Sequence, residues 1–306
     1  MRILISGATG LVGSALTRAL QAAGGEILAL RRKAHAPRAQ KVNTEEIAWS
    51  QLTGDSETGR LEGLDAVVHL AGENVAGGRW TAARRAAIRD SRIDGTGDLS
   101  RALARCAQPP PVLVSASAVG YYGDGGEAWL DESSPPGSDF LARVAVAWED
   151  AAGAARAAGI RVVHLRFGIV LAGSGGALAR MLPLFRLGLG GRLGHGRQYM
   201  SWLSLTEAVS IIRFAISQAH LRGAVNAVSP QPVTNAEFTR TLARVLRRPA
   251  LLPVPAWAAR AALGEMADAL LLAGTRVRPL HLQEAGYTFL HPELEPALRA
   301  LLGETS

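Results

Sequence analysis

The sequence predicts an α/β fold, a doubly wound parallel sheet with a smaller, mostly helical C-terminal lobe. Three observations predict it. Short apolar runs alternate with longer Ala/Arg/Leu segments of helical period through the first half of the 306-residue chain. Those runs are apolar nearly throughout, as strands buried on both faces of a parallel sheet must be. Past about residue 170 the rhythm breaks into a Gly/Arg-rich loop and then mostly helices. The expected division is residues 1–170 for the sheet domain and 171–306 for the second lobe, with a helical segment from about 250.

Taken in order, RILIS (2–6) reads as a buried strand and LVGSALTRALQAAG (11–24) as a helix ended by glycine. EILALR (26–31) is a second strand, and EIAWS (46–50) is a candidate third after polar sequence. DAVVHLAG (65–72) is the next buried strand, and residues 80–107 form one long helix or two. PVLVSAS (111–117) reads as a strand, residues 140–159 as a helix and IRVVHLRFG (160–168) as a strand. Beyond the loop LGLGGRLGHGRQ (187–198) come a short strand at YMSWL and a helix at SLTEAVSIIRFAISQA. A strand at AVNAV, a helix at NAEFTRTLARVLRR and a helical tail after LLPVPAW complete the chain.

The composition, 48% hydrophobic and 19% charged, is that of a globular protein. The longest apolar run, residues 254–274, is broken by Arg260, Glu265 and Asp268, so no span and no membrane partner is expected. The N-terminus shows no signal-peptide pattern, and Cys106 is the one cysteine; both suit a reducing cytoplasm. The seven histidines have no metal-ligand spacing, so no metal is expected. The net charge of +7 raises nucleic acid as a partner, but the arginines are scattered and nowhere interleave with aromatics. A solvated basic surface with one or two anion pockets explains the charge without nucleic acid.

Between the first strand and the first helix lies GATGLVG, with Gly7, Gly10 and Gly13 in a GxxGxxG spacing. Glycines there permit a tight turn and close approach of a diphosphate to the helix N-terminus. The context makes this a Rossmann-type dinucleotide site. An NAD site normally ends its second strand with an acid that binds the ribose 2′-hydroxyl. Here Arg31 and Arg32 stand at that strand end, with no acid before Glu45. An arginine bond to an ionised phosphate is worth about 1.5–3 kcal/mol, so NADP(H) is the expected coenzyme; the other reading is an exposed basic loop.

These features resemble the extended branch of the short-chain dehydrogenase/reductase superfamily. They are most similar to its atypical epimerase-like, NADP-binding subfamily with a C-terminal domain of unassigned function. The resemblance rests on GATGLVG, DAVVHLAGENV (65–75), SASAVGYYGD (115–124) and LRFGIVLAGSGGAL (165–178). It continues through QYMSWLSLTEAV (198–209), AVNAVSPQPVTNAEF (224–238) and residues 276–298. It implies that Gly7, Thr9, Gly10, Leu11, Val12 and Gly13 hold the diphosphate and that Arg31 and Arg32 hold the 2′-phosphate. Leu70, Ala71 and Gly72 would lie along the adenine-side ribose and diphosphate. Arg92, where relatives usually keep an asparagine, projects toward the coenzyme or is a solvated helix arginine. Ser117 matches the superfamily's catalytic serine, or is a satisfied strand-end hydroxyl.

One expected element is absent. Relatives carry Tyr-x-x-x-Lys on the helix at 140–159; with Glu149 aligned to the acid that follows, Leu141 and Ala145 stand in place of the pair. The chain's two lysines, Lys33 and Lys41, precede residue 42, so no shifted alignment restores it. A tyrosine near pKa 10 is about 0.1% phenolate at pH 7, which handicaps alcohol oxidation and any epimerisation that begins with it. Carbonyl reduction needs a proton donor instead. The expected function is therefore an NADP(H)-dependent oxidoreductase of the extended short-chain type that reduces a small anionic carbonyl substrate. A coenzyme-binding sensor with little turnover and a nucleotide-sugar epimerase are the alternatives. Tyr121 and Tyr122 are the donor candidates with Ser117 as orienter, or they pack under the second lobe. Glu73 and Asn74 at the carboxyl edge of the sheet are candidate substrate contacts, or cap the next segment. Arg186, Arg192 and Arg197, set among glycines, suit a carboxylate or phosphate, or decorate a solvated loop. By analogy with extended relatives, helices 80–107 and 140–159 are the surfaces through which a homodimer would form.

Overall fold

Successive side chains of a strand point to opposite faces, so a strand apolar at every position feeds two cores. β1 (Arg2–Ser6) shows this: Ile3 and Ile5 enter one buried cluster and Leu4 the other. The computed structural model describes residues 1–31, 44–52 and 58–303. Arg32 lies outside the described residues.

After β1 come α1 (Leu11–Ala22), β2 (Glu26–Arg31), β3 (Thr44–Ala48), β4 (Ala66–His69), α2 (Ala82–Ala104) and β5 (Val112–Ala118). β6 (Trp129–Leu130), α3 (Phe140–Asp150), α4 (Gly153–Ala157) and β7 (Arg161–Phe167) follow. The rest comprises β8 (Ile169–Ala172), α5 (Gly176–Arg186), β9 (Tyr199–Met200), β10 (Trp202–Ser204), α6 (Leu205–Ser217) and β11 (Gly223–Ala227). It ends with β12 (Val233–Thr234), α7 (Asn235–Leu246), α8 (Ala256–Leu263), α9 (Glu265–Ala267), β13 (Arg276–Val277), α10 (Leu280–Glu284) and α11 (Leu294–Leu302).

Seven strands make one parallel sheet in the order β11-β7-β5-β4-β1-β2-β3. The order reverses at β1, so the crevice between the carboxyl ends of β1 and β4 is the switch point at which such sheets bind ligands. On one face, Ile3, Ile5, Val68 and Val114 pack with Leu16 of α1 and Ile211 and Ile212 of α6. On the other, Leu4, Val67, Leu113 and Val162 pack with Leu99 and Leu103 of α2 and Ala155 of α4. A third cluster around Trp202 and Phe238 joins α5, α7 and α11 in the C-terminal lobe.

The expected boundary at residue 170 does not follow the sheet. β11 pairs with β7 from Gly223↔Val163 to Ala227↔Phe167, so the second half of the chain supplies the seventh strand. The region expected to be one helix or two at 80–107 is one continuous helix, capped by the Thr81 hydroxyl accepting the Arg84 N–H. The helix expected over 140–159 is instead two, α3 and α4. At the break, the Ala155 N–H donates to Ser100 Oγ at 2.8 Å, so a hydroxyl of α2 takes a bond the helix would otherwise use itself.

Candidate functional site

The loop from β1 into α1 is shaped by contacts that leave no room for side chains. Gly7 has φ +71°, and a Cβ there would lie 2.8 Å from the Leu70 carbonyl carbon. A Cβ on Gly13 would lie 2.1 Å from the Gly7 oxygen, so α1 can begin this close to the loop only with glycine. α1 starts at Leu11, and its first N–H groups, which no intrahelical carbonyl can satisfy, open toward the crevice. Across it, the Leu70 and Ala71 N–H groups donate to Ser6 Oγ at 3.1 and 3.2 Å. Gly7 thus packs on Leu70 and Ala71 at the switch point and on Gly10 and Gly13 behind it, with Thr9, Leu11 and Val12 on the same loop and first turn and Gly72 following Ala71, a cradle with the chemistry for a dinucleotide diphosphate.

Two cations frame the cradle. Arg31, at the end of β2, pairs with Glu46 at 2.9 Å, and its Nε has no hydrogen-bond partner among the described residues. Arg92 is no solvated helix arginine. Its Nη1 donates to the Glu73 and Ile88 carbonyls at 3.0 Å each, and its guanidinium lies 5.0 Å from the Trp148 ring. A Cβ on Gly72 would come within 3.3 Å of it. Burial pushes its pKa down to about 10, against the opposing pull of Glu73.

Beyond β5 lies a buried polar network. Ser117 Oγ donates to Glu149 Oε1 at 2.6 Å, and Arg166 donates from Nε and Nη2 to the same carboxylate at 2.8 Å each. Arg166 Nη1 also donates to the Tyr122 hydroxyl at 3.0 Å, which donates in turn to Asn226 Oδ1 at 2.7 Å. Burial alone would raise the Glu149 pKa; the bonds and charge of Arg166, with Ser117, outweigh it and hold the carboxyl below its ordinary value. Burial moves the Tyr122 phenol the other way, up to about 12. Tyr121, half-buried, keeps its ring against the Arg166 guanidinium at 3.4 Å from the centroid.

A cavity of about 430 Å³ opens beside this network. One wall is Trp80, Asp124, Asp139, Phe140 and Leu141; the other is Gly194, His195, Ala256, Arg260 and residues between Glu265 and Ala273. Leu141, in the place of the missing tyrosine, is therefore cavity wall. Arg260 pairs with Asp268 at 2.9 Å, and Glu265 with Arg85. Asp124 Oδ1 accepts the Gly274 N–H at 3.0 Å, while Asp139 caps α3 through the Ala142 N–H at 2.9 Å. His195 Nδ1 accepts the Arg197 N–H at 3.0 Å, so the neutral ring carries its proton on Nε2. The sheet-domain wall and the C-terminal wall are fastened by the β6–β13 pairing and by Gly125 N–H donating to the Gly274 carbonyl at 2.9 Å.

The expected substrate contacts sit elsewhere. Glu73 Oε1 accepts from Arg84 at 2.8 Å and Asn74 Oδ1 accepts the Ala76 N–H at 2.9 Å, so both order their own loop. Arg186, Arg192 and Arg197 are exposed and do not line the cavity. Sequence reasoning missed the cavity residues Trp80, Asp124, Asp139, His195 and Arg260, and missed Arg166. The segment containing Arg166 was legible as a motif, but nothing in it signalled a pairing with Glu149.

Beneath the crevice, Ser6, His69, Ser115 and His164 are aligned across four strands. Burial pushes both histidines down to about 4, against the pull of Glu149 in the case of His164. In an unfolded chain they titrate near 6.5, so between pH 6.5 and about 4 the unfolded state binds protons that the fold refuses. Their contribution is whole above pH 6.5 and declines below it by about 1.4 kcal/mol per pH unit for each ring. Thermal unfolding followed from neutral pH downward is expected to show this decline, and His164→Asn to shallow it. An unchanged slope would mean that His164 is already charged in the fold.

Cradle, sheet order and two-walled cavity define a dinucleotide-binding α/β protein of the Rossmann type. The chain belongs to the NAD dependent epimerase/dehydratase family, which it matches over residues 3–227; residues 254–301 match a domain of unknown function, DUF1731. Epimerase family protein MT2273 of Mycobacterium tuberculosis is 47% identical over 97% of this chain and 96% of its own length. Human epimerase family protein SDR39U1 is 36% identical over 99% of this chain and 100% of its own length. The crystal structure of human SDR39U1 (isoform2) with NADPH superimposes with a TM-score of 0.90 at 34% identity, covering 100% of both chains. Among the described residues no helix is long and apolar enough to cross a membrane.

Proposed function

We propose that the protein is an NADP(H)-dependent reductase of a small carbonyl compound bound in the cavity between the two lobes. The observation that carries the coenzyme half is the glycine cradle with Arg31 beside it; the NADPH-bound human relative, which covers the whole chain, supports it. When bound, NADPH supplies a hydride. Gly7 to Gly13 and the start of α1 hold its diphosphate, Arg31 takes the 2′-phosphate in competition with Glu46, and Arg92 stiffens the floor under Gly72.

The proton comes from the cavity wall. Ser117 and Tyr122 already spend their hydroxyl protons on Glu149 and Asn226, so their part is to hold the wall in place. His195, which lines the cavity with Nε2–H available, is the favoured donor, taking up a solvent proton at Nδ1 as it gives this one up; Tyr121, which does not line the cavity, is the second candidate. Neither has a lysine four residues on, which supports reduction over epimerisation begun by alcohol oxidation. The wall also revises the substrate. Four carboxylates against Arg260 and His195 favour a neutral, hydroxyl-bearing compound over an anionic one.

Stopped-flow oxidation of NADPH across a panel of aldehydes and ketones tests the reading. His195→Gln is expected to lower kcat on any accepted substrate at least tenfold with NADPH affinity unchanged. NADPH binding without turnover on any carbonyl would favour the coenzyme sensor. Arg31→Ala is expected to reduce the preference for NADPH over NADH about 10–150-fold, measured by calorimetry with both coenzymes.

A further inference from the structure

Residues 184–194 and 249–257 run side by side as a ribbon on the C-terminal lobe. It is held by bridges at Leu189↔Ala250 and Leu193↔Val254 and by the Val254 N–H donating to the Arg192 carbonyl at 2.9 Å. Seven of the ten large apolar side chains exposed among the described residues stand on this ribbon, led by Leu251 at 81% and by Leu187 and Trp257 at 72% exposure. A burial-driven fold leaves single apolar side chains outside, not a concentration of leucines around a tryptophan.

The charges around it are one-sided. Residues 174–206 and 238–264 contain no aspartate or glutamate. Arg186, Arg192, Arg197, Arg247 and Arg248 are exposed, and among the described residues none of the five has a carboxylate within ion-pairing distance.

We propose that this ribbon seats the protein on the surface of an anionic lipid bilayer, the leucines and Trp257 entering the headgroup–acyl boundary and the arginines meeting lipid phosphates. The combination of projecting Leu/Trp with uncompensated arginine is what such an interface recognises. A second copy of the chain is a poorer occupant, because a two-fold contact here would set the same arginines against each other. A nucleic acid has no use for the leucines. An acidic peptide would bind better in a groove than on side chains that stand out of the surface. The absence of a spanning helix does not bear on this, since nothing crosses the bilayer. Ala256, next to Trp257 on the ribbon, is also cavity wall, so docking places the mouth of the cavity beside the lipid boundary.

The full chain is incubated with vesicles of phosphatidylglycerol and phosphatidylcholine, or of phosphatidylcholine alone, and sedimented. Sedimentation is expected with the anionic vesicles only, and to fall as salt rises. Leu251→Ser/Trp257→Ser is expected to reduce binding at least tenfold, and Arg186→Gln or Arg248→Gln about fivefold each. Thermal midpoint and NADPH affinity should be unchanged in every variant, which separates failure of this proposal from failure of the coenzyme reading. In lipids brominated near the headgroup, Trp257 fluorescence should be quenched, and the quenching lost in Trp257→Phe. Failure to sediment, sedimentation indifferent to these substitutions, or concentration-dependent dimerisation that the same substitutions abolish would overturn the proposal.

Discussion

Arg166→Met is expected to destabilise the protein by about 3–5 kcal/mol, because it leaves the Glu149 carboxylate buried without its cation. The guanidinium is 4% exposed and makes two 2.8 Å bonds to that carboxylate and one bond to Tyr122. Its loss leaves the Glu149 carboxylate with Ser117 as its one remaining donor and the Tyr122 hydroxyl with Asn226 alone. Urea unfolding should show a lower midpoint at an unchanged slope. Because the cost arises from the uncompensated charge, the double variant Arg166→Met/Glu149→Leu should recover part of the loss. If the double variant were less stable than the two singles summed, the network would be held by its packing rather than by its charges. The variant also has a pH signature. Glu149 is held below its ordinary value, so its contribution is whole above the unfolded carboxylate pKa and is lost as pH falls through the folded one.

The second large effect is on the coenzyme. Gly13→Ala places a methyl 2.1 Å from the Gly7 oxygen, and neither α1 nor the loop can yield without reshaping the cradle. NADPH affinity measured by calorimetry is expected to fall at least a hundredfold, with a stability cost of about 1–3 kcal/mol. Gly10→Ala is the control. Its methyl would meet one atom, the Gly7 oxygen, at 3.3 Å, a crowding that a small shift relieves. Equal losses from the two substitutions would mean that the cradle is not where the dinucleotide lies.

The legible parts of this protein were those encoded within a few residues. The cradle could be read because one short loop holds all three glycines between a strand and a helix. The buried strands could be read from runs such as AVVH, whose four residues are all buried. The absent Tyr-x-x-x-Lys pair could be read because two lysines in 306 residues leave nothing to realign. Long-range pairing was opaque. Tyr122 reaches Asn226 across 104 positions, and Asp124 reaches Gly274 across 150. The arginines at 186, 192 and 197 suggested an anion pocket on composition, yet the loop turns them outward and offers His195 to the cavity instead. The boundary expected at residue 170 cuts across the sheet for the same reason, since AVNAV carries no local sign that its partner is β7.

That late strand has a consequence for synthesis. Until the ribosome has passed about residue 223, β7 is an edge, with Val163 and Leu165 lacking the β11 strand that later pairs beside them. The nascent domain must therefore wait with an open, adhesive border until three-quarters of the message has been read. Fragments ending before that point should associate with one another or be held by chaperones, whereas chains released after it should not.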